Sequence, residues 1–260
     1  MFGFFKKKSQ TVCKQEIKHE EDFEDIEDLI LYFKNETGID FFNKKEITKN
    51  KVKNFCRRRE IYSFCELLEK LKTDRSLTQE LIDCLTVNET YFFRETPQIE
   101  DMIQKAKALG FKAEILCAPS SSGEEPYTIA IMMLEAGFKP QDFHIVGIDI
   151  SEKIINRAKE AKYGKRSLHR VSEPLKVKYF KKVDDKYILK DMVKNCVSFR
   201  CINIFDKSLE NLRKFDFIFS RNMMIYFDKE TKIKAKNILQ KLLKRGDESI
   251  FFGHADMVGH

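Results

Sequence analysis

Ala113-Glu114-Ile115-Leu116-Cys117-Ala118-Pro119-Ser120-Ser121-Ser122-Gly123-Glu124-Glu125-Pro126-Tyr127 is the stretch that decides the fold. An apolar run of strand length passes through a loop of small residues into a segment with proline near its start, the strand–loop–helix opening of an α/β unit. The same alternation spreads outward on both sides. Upstream, Thr96 is expected to cap and Pro97 to start a helix carrying Ile99, Met102, Ile103 and Ala106, closed by Gly110. Downstream, strands are expected over 143–149, 197–202, 215–220 and 249–252, with helices over 124–136, 152–162 and 229–243 and a short one near Leu209. A basic linker is expected between the helix ending at 162 and the strand starting at 197. Apolar strands separated by crossover helices imply a parallel sheet covered on both faces. The expected fold class is therefore α/β, a Rossmann-like doubly wound sheet over 97–260. The chain ends at His260, so a sheet abbreviated to five or six strands is expected.

Before residue 88 the grammar is different. Phe23, Ile26, Ile30 and Phe33 recur at helical spacing before Gly38; Ile61, Phe64, Cys65, Leu68 and Leu71 repeat it, as do Leu77, Leu81, Ile82 and Leu85. With a basic helix over 46–59 between them, 23–87 reads as a small all-helical domain, preceded by a flexible segment 1–22 and followed by a linker 88–96.

The chain has 260 residues, 42% hydrophobic and 34% charged, and its 23 Phe and 8 Tyr suffice for a core without Trp, which argues against general disorder. No apolar run approaches the roughly 20 residues that span a bilayer. Met1-Phe2-Gly3-Phe4-Phe5-Lys6 places its apolar residues before its lysines, the reverse of a secretory signal, so no membrane insertion and a cytoplasmic chain are expected. The seven cysteines form no C-x-x-C pair and have no His at ligand spacing, so reduced thiols and no metal are expected.

The net charge of +7 is uneven: residues 1–40 carry −4, 41–75 carry +6 and 161–200 carry +8. Such patches are either solvated faces or a docking surface for an acidic partner, nucleic acid or an acidic protein helix, and charge alone does not choose.

In an open α/β sheet the ligand sits beyond the carboxyl ends of the strands, where the strand order switches. The 118–127 loop has one glycine and two glutamates at its helix start, which disfavours a diphosphate there. Asp149, ending the second strand, is placed to accept from a ribose diol. A ribose site without a phosphate cradle fits S-adenosylmethionine. Asn203-Ile204 ends the third strand with an amide and an apolar contact for an adenine. The segment 220–227 after the fourth lacks the Asp/Asn-Pro-Pro-aromatic pattern of nucleic-acid amino-methyltransferases.

Three motifs in order, Asn88-x-Thr90-x-Phe92-Phe93-Arg94-Glu95, Ser122-Gly123-Glu124-Glu125-Pro126-Tyr127 and Phe215-Asp216-x-Ile218-Phe219-x-Arg221-Asn222-x-Met224-Ile225-Tyr226-Phe227-Asp228, resemble the CheR family of chemotaxis protein methyltransferases, as does Phe252-Gly253-His254-Ala255-Asp256 near the end. The resemblance, covering about 23–260, implies S-adenosylmethionine-dependent O-methylation of glutamates on chemoreceptor cytoplasmic signalling helices, with S-adenosylhomocysteine as product. Carried over by position, it implies cofactor contacts from Asn88, Thr90, Arg94, Glu125, Asp149, Asn203, Ile204, Arg221 and Asn222. Arg94 and Tyr226 are implied to border the transferred methyl group, and Lys51, Lys53, Arg57, Arg58 and Arg59 to form a receptor-contacting helix. Two departures stand out: Asp149 is followed by Ile150-Ser151 rather than a second acid, and the 172–197 segment is short where some relatives use an added β-subdomain to grip a receptor tail, so tethering by such a tail is not implied. The acidic residues 16–28 are expected near the basic helix. A noncatalytic cofactor-binding adaptor and a nucleic-acid methyltransferase are the competing classes; retained Arg94 and Tyr226 argue against the first, and the missing proline motif against the second, so nucleic acid is not the expected partner. Nothing demands more than a monomer.

Overall fold

The computed structural model describes residues 21–246 and 249–257, so nearly all of the segment 1–22 lies outside the described residues. Four helices come first: α1 (Glu27–Thr37), α2 (Lys45–Arg57), α3 (Phe64–Leu71) and α4 (Arg75–Leu85). They form because each buries one stripe, Ile30 and Phe33 on α1, Val52 and Phe55 on α2, Leu67 and Leu71 on α3, Leu81 and Leu85 on α4. Gly38 ends α1 at φ 80°, and Ser63 and Asp74 cap α3 and α4 by accepting from the Glu66 and Leu77 amides, each cap worth roughly 1 kcal/mol. On α3 the buried stripe runs through Leu67, whereas Cys65 is exposed and Ile61 precedes the helix.

The second part runs α5 (Thr96–Lys107), β1 (Ala113–Cys117), α6 (Glu124–Glu135), β2 (Phe143–Asp149), α7 (Glu152–Glu160), β3 (Lys162–Gly164), α8 (Glu173–Tyr179), β4 (Phe180–Val183), β5 (Lys186–Leu189), α9 (Asp191–Lys194), β6 (Val197–Cys201), β7 (Phe217–Ser220), α10 (Lys229–Leu242), β8 (Ile250–Phe252) and α11 (His254–Met257). Five strands form one parallel sheet in the order β6-β2-β1-β7-β8. The order reverses between β1 and β7, so the crevice lies beyond Cys117 and Ser220. Ile115, Cys117, Ile145, Phe217 and Phe219 face one core with α5 and α6. Leu116, Val146, Ile148 and Ile218 face the other, which is continuous with α10 and with the helical domain. That continuity seats the helical domain against the sheet rather than on a tether.

Two expectations are corrected. The cap of α5 is Glu95, in a left-handed conformation at φ 52°, and Thr96 is already helical. The basic linker over 163–196 is instead largely ordered as a three-stranded antiparallel sheet, β3-β5-β4, flanked by α8 and α9. A small antiparallel subdomain therefore stands where the sequence reads as a linker. Tyr163, Phe180, Leu189 and Val193 anchor it in the core, while Lys181 and Lys182 point outward. Phe92, fully buried, stands edge-on to Tyr163 (4.8 Å) and Phe180 (5.3 Å) and pins the linker to this sheet. Burying a phenyl ring contributes about 1.5–3 kcal/mol.

Candidate active site

A cavity of about 370 Å³ opens beyond the carboxyl ends of β1, β2, β6 and β7, within the size range of small-molecule sites. Asn88, Thr90, Arg94, Glu125, Asp149, Asn203, Ile204, Arg221, Asn222 and Tyr226 all line it. Lys51, Lys53, Arg57, Arg58 and Arg59 lie elsewhere, on and just past α2.

The floor is the 118–123 loop. Gly147 in β2 allows it to approach, because a Cβ there would lie 2.8 Å from the Ser120 Cβ and 2.7 Å from the Phe199 ring. Asp149 closes the loop: one carboxylate oxygen accepts from the Ser121 amide (2.9 Å) and the other from the Ser151 amide (3.0 Å). Burial pushes the Asp149 carboxyl up to about 6, against the pull of those amides. Ser151 also donates its hydroxyl to Asp83 of α4 (2.7 Å), and Gln79 of α4 donates to the Ile150 carbonyl (2.9 Å), so the helical domain braces the end of β2.

Arg221 is the tie between the sheet and the linker. Its side chain is 3% exposed; it pairs with Glu125 and donates to the carbonyls of Arg94 and Glu95, both at 3.0 Å. Burial raises the Glu125 carboxyl and the Arg221 charge draws it back. The linker so held contains Phe93 and Glu95 in left-handed conformations (φ 61° and 52°), and the cavity also adjoins Ser121 (φ 47°) and Asn222 (φ 62°). Such strain, about 1–3 kcal/mol per residue, persists where surrounding bonds over-determine the backbone. Here the Phe93 amide donates to Thr128 (3.0 Å), and the Asn222 amide donates to Asp256 (2.5 Å). Asp256 also accepts from the Gly253 amide (3.1 Å), and His254 lies 3.2 Å from Glu95, so the Gly253–Asp256 turn clamps both the 222–226 segment and the linker.

Arg94 leans on Tyr91, its guanidinium 5.8 Å from the ring, and donates to the Glu89 carbonyl (3.3 Å). Burial raises the Tyr226 phenol while the nearby Arg94 charge pulls it down. The Asn203 amide is already engaged: its oxygen accepts from the Phe205 amide and its nitrogen donates to the Glu36 carbonyl, each at 3.0 Å. What it offers the cavity is the face of a fixed amide. Sequence reasoning passed over Thr37, Ile39 and Phe41, which the helical domain contributes to the wall, and Ser120, Ser121 and Tyr91. Ile39 and Phe41 fall in the connection after Gly38, where no helical period applies, so the sequence carries no sign of a cavity there.

The buried Ser120 and Ser121 hydroxyls and one Glu125 oxygen have no hydrogen-bond partner among the described residues. Unsatisfied polar atoms around a cavity with apolar walls fit a ligand that brings its own donors, and two buried carboxylates fit an ammonium and a diol rather than phosphates. The donor set therefore suits S-adenosylmethionine. Asp149 would hold the ribose, and Glu125 with the 120–121 hydroxyls would meet the amino-acid end.

On α2, the positive residues are less free than their number suggests. Arg57 forms a bidentate pair with Glu21 (2.9 and 2.6 Å), Arg59 pairs with Glu80, and Arg58 donates to the Asn54 carbonyl (3.2 Å). Lys53 lies 5.4 Å from the Phe23 ring, and Lys45 pairs with Glu27 (2.6 Å). The described part of the acidic segment thus does lie along the basic helix; residues 16–20 are outside the described residues.

Two family models match in tandem: "CheR methyltransferase, all-alpha domain" over residues 24–86 and "CheR methyltransferase, SAM binding domain" over 88–260. A chemotaxis protein methyltransferase of Campylobacter jejuni is 38% identical over 236 residues, covering 90% of this chain and 88% of that protein. One from Borreliella burgdorferi is 31% identical with the same two coverages, and chemotaxis protein methyltransferase 2 of Vibrio cholerae is 32% identical over 86% of this chain and 82% of its own length. With both domains matched in order around a cavity that suits the methyl donor, the chain belongs to the CheR methyltransferase family, as an S-adenosylmethionine-dependent methyltransferase.

Proposed function

We propose that this chain methylates glutamate side-chain carboxylates on chemoreceptor signalling helices, forming the γ-methyl esters that adjust sensory output in chemotaxis. The observation that supports the reading is that Arg94 and Tyr226, a cation and a phenol suited to a carboxylate, border the same cavity as Asp149 and Glu125, which suit the methyl donor.

Bound S-adenosylmethionine supplies an electrophilic methyl group on a sulfonium centre and leaves as a neutral thioether. A glutamate carboxylate has a reference pKa of about 4.3 and is already an anion at neutral pH, so no general base has to remove a proton from it. The protein's contribution is orientation and exclusion of water. Arg94 holds the incoming carboxylate by charge-assisted hydrogen bonds, and Tyr226 donates one more. Ile39 and Phe41 give the site an apolar wall. Well-aligned reactions gain up to about 7–11 kcal/mol from such positioning.

The test is single-turnover methyl transfer to a purified receptor signalling domain. Arg94→Ala should slow the step by about 100-fold and Tyr226→Phe by about tenfold, since misalignment of roughly 1 Å costs that order, and the label should be base-labile. Wild-type rates in both variants, or label that survives base, would refute the assignment; cofactor binding without any transfer would mark an adaptor instead.

A further inference from the structure

Between β3 and α8 lies a turn that the cofactor site does not use. Residues 161–172 contain Lys162, Lys165, Arg166 and Arg170 and no acid. Lys165, Arg166, His169 and Arg170 are exposed. The turn is nevertheless firmly placed. Leu168 is buried, the Ser167 carbonyl accepts from the Phe92 amide (2.9 Å), and the Ser167 hydroxyl donates to the buried Glu124 (3.1 Å).

These cations adjoin the cavity mouth through the linker. Arg166 pairs with Glu89 (2.6 Å), and the Arg170 guanidinium lies 5.2 Å from the Tyr91 ring, which also meets His169 (4.6 Å) and Arg94. Glu89 and Tyr91 both line the cavity. Because Arg94 and Arg170 share one ring, their guanidinium carbons are no more than about 11 Å apart, a span of roughly seven helical residues at 1.5 Å each. On the Tyr226 side, Lys44 at the foot of α2 lies 5.6 Å from the phenol ring, so the mouth is bracketed by cations from two parts of the fold.

We propose that the 165–170 turn is a second docking contact for the substrate, a rim that binds an acidic residue on the same helical segment as the accepting glutamate. The proposal rests on the glutamate-methylation reading and adds a rule of choice to it. With Arg94 holding the target carboxylate, Arg170 and its neighbours reach an acid three, four or seven residues away on the same helix face. Solvated loop cations alone would not be fixed through a half-buried serine and an aromatic ring to the residue that orients the substrate. Charges at such a rim steer encounter and set register.

The experiment measures steady-state methylation of a receptor signalling domain by the full chain, with titration of S-adenosylhomocysteine as a control. Arg166→Glu with Arg170→Glu should raise KM for the receptor roughly tenfold at low salt, with kcat within about twofold, unchanged cofactor affinity, and an effect that shrinks at 0.5 M salt, about three times the concentration at which the Debye length is about 8 Å. Replacing the receptor acid three, four or seven residues from the target by glutamine should raise KM likewise, and add nothing further in the double variant. Lys165→Glu, whose side chain holds no partner among the described residues, keeps the test open should the double variant fail to fold. Wild-type transfer with unchanged KM in the reversed-charge variants overturns the rim alone; wild-type protein that transfers nothing to the receptor overturns the underlying reading and the rim with it.

Discussion

Replacing Arg221 with methionine would remove the cation that ties the end of β7 to Glu125 and to the linker, while keeping most of the side chain's volume. The Arg221 and Glu125 side chains are 3% and 12% exposed, so the carboxylate left behind has little water to solvate it. Removing one partner of a buried pair costs about 3–5 kcal/mol, and the carbonyls of Arg94 and Glu95 also lose their 3.0 Å donors. Urea denaturation of Arg221→Met should therefore show a loss of at least about 3 kcal/mol. The pH dependence has a definite sign. Burial already raises the folded-state pKa of Glu125 above its ordinary value, and losing Arg221 raises it further. A carboxyl raised by folding favours the folded state below its unfolded pKa, and this advantage is lost as pH climbs through the folded value. The deficit should thus be smaller at pH 5 than at pH 8. Adding Glu125→Gln removes the stranded charge and should restore about 1–2 kcal/mol without restoring methyl transfer, because the linker carrying Arg94 remains untied. A loss below about 1 kcal/mol in Arg221→Met, or strict additivity of the two substitutions, would refute the account.

Two further outcomes are expected. Asp149 has its carboxyl pushed up to about 6, and a ribose diol donates to the ionised form. The affinity for S-adenosylhomocysteine should therefore be flat above pH 6 and fall below it, by up to about tenfold per pH unit, as read by calorimetry; an Asp149→Asn variant should bind weakly with no such slope, and equal wild-type affinities at pH 5 and 7.5 would exclude the contact. Glu21→Gln frees Arg57 from its bidentate pair and should strengthen receptor binding at low salt by less than about threefold, with no gain at high salt; weaker binding in a pull-down series would show that Glu21 belongs to the docking surface instead.

The centre of the main sheet was legible in the sequence because β1, β2 and β7 are buried almost throughout and read as apolar runs: the span 143–149 matches β2 (Phe143–Asp149) at both ends. The small antiparallel sheet was not. Its strands have three or four residues, and β4 exposes Lys181, Lys182 and Val183, so no period survives and the segment reads as a basic linker. Only the packing of Phe180 and Leu189 beside the buried Tyr163 shows that these residues pair. The charge on α2 was equally visible, but the ion pairs that occupy Arg57 and Arg59 were not, since Glu21 and Glu80 are distant in the chain.

By itself, then, the sequence determined which side chains stand at the strand ends, because strand, loop and helix follow one another in a local order that hydrophobic pattern reports. The tertiary structure alone decided that the helical domain supplies a wall of the cavity through Thr37, Ile39 and Phe41. It also decided that Arg221 spans from β7 to the Arg94 and Glu95 carbonyls, and that Ser121 and Asn222 at the cavity and Phe93 and Glu95 in the linker hold left-handed backbones. The physical reason is common to all three: each depends on contacts between segments tens to more than a hundred residues apart, which stabilise conformations that local preference disfavours and leave no periodic trace.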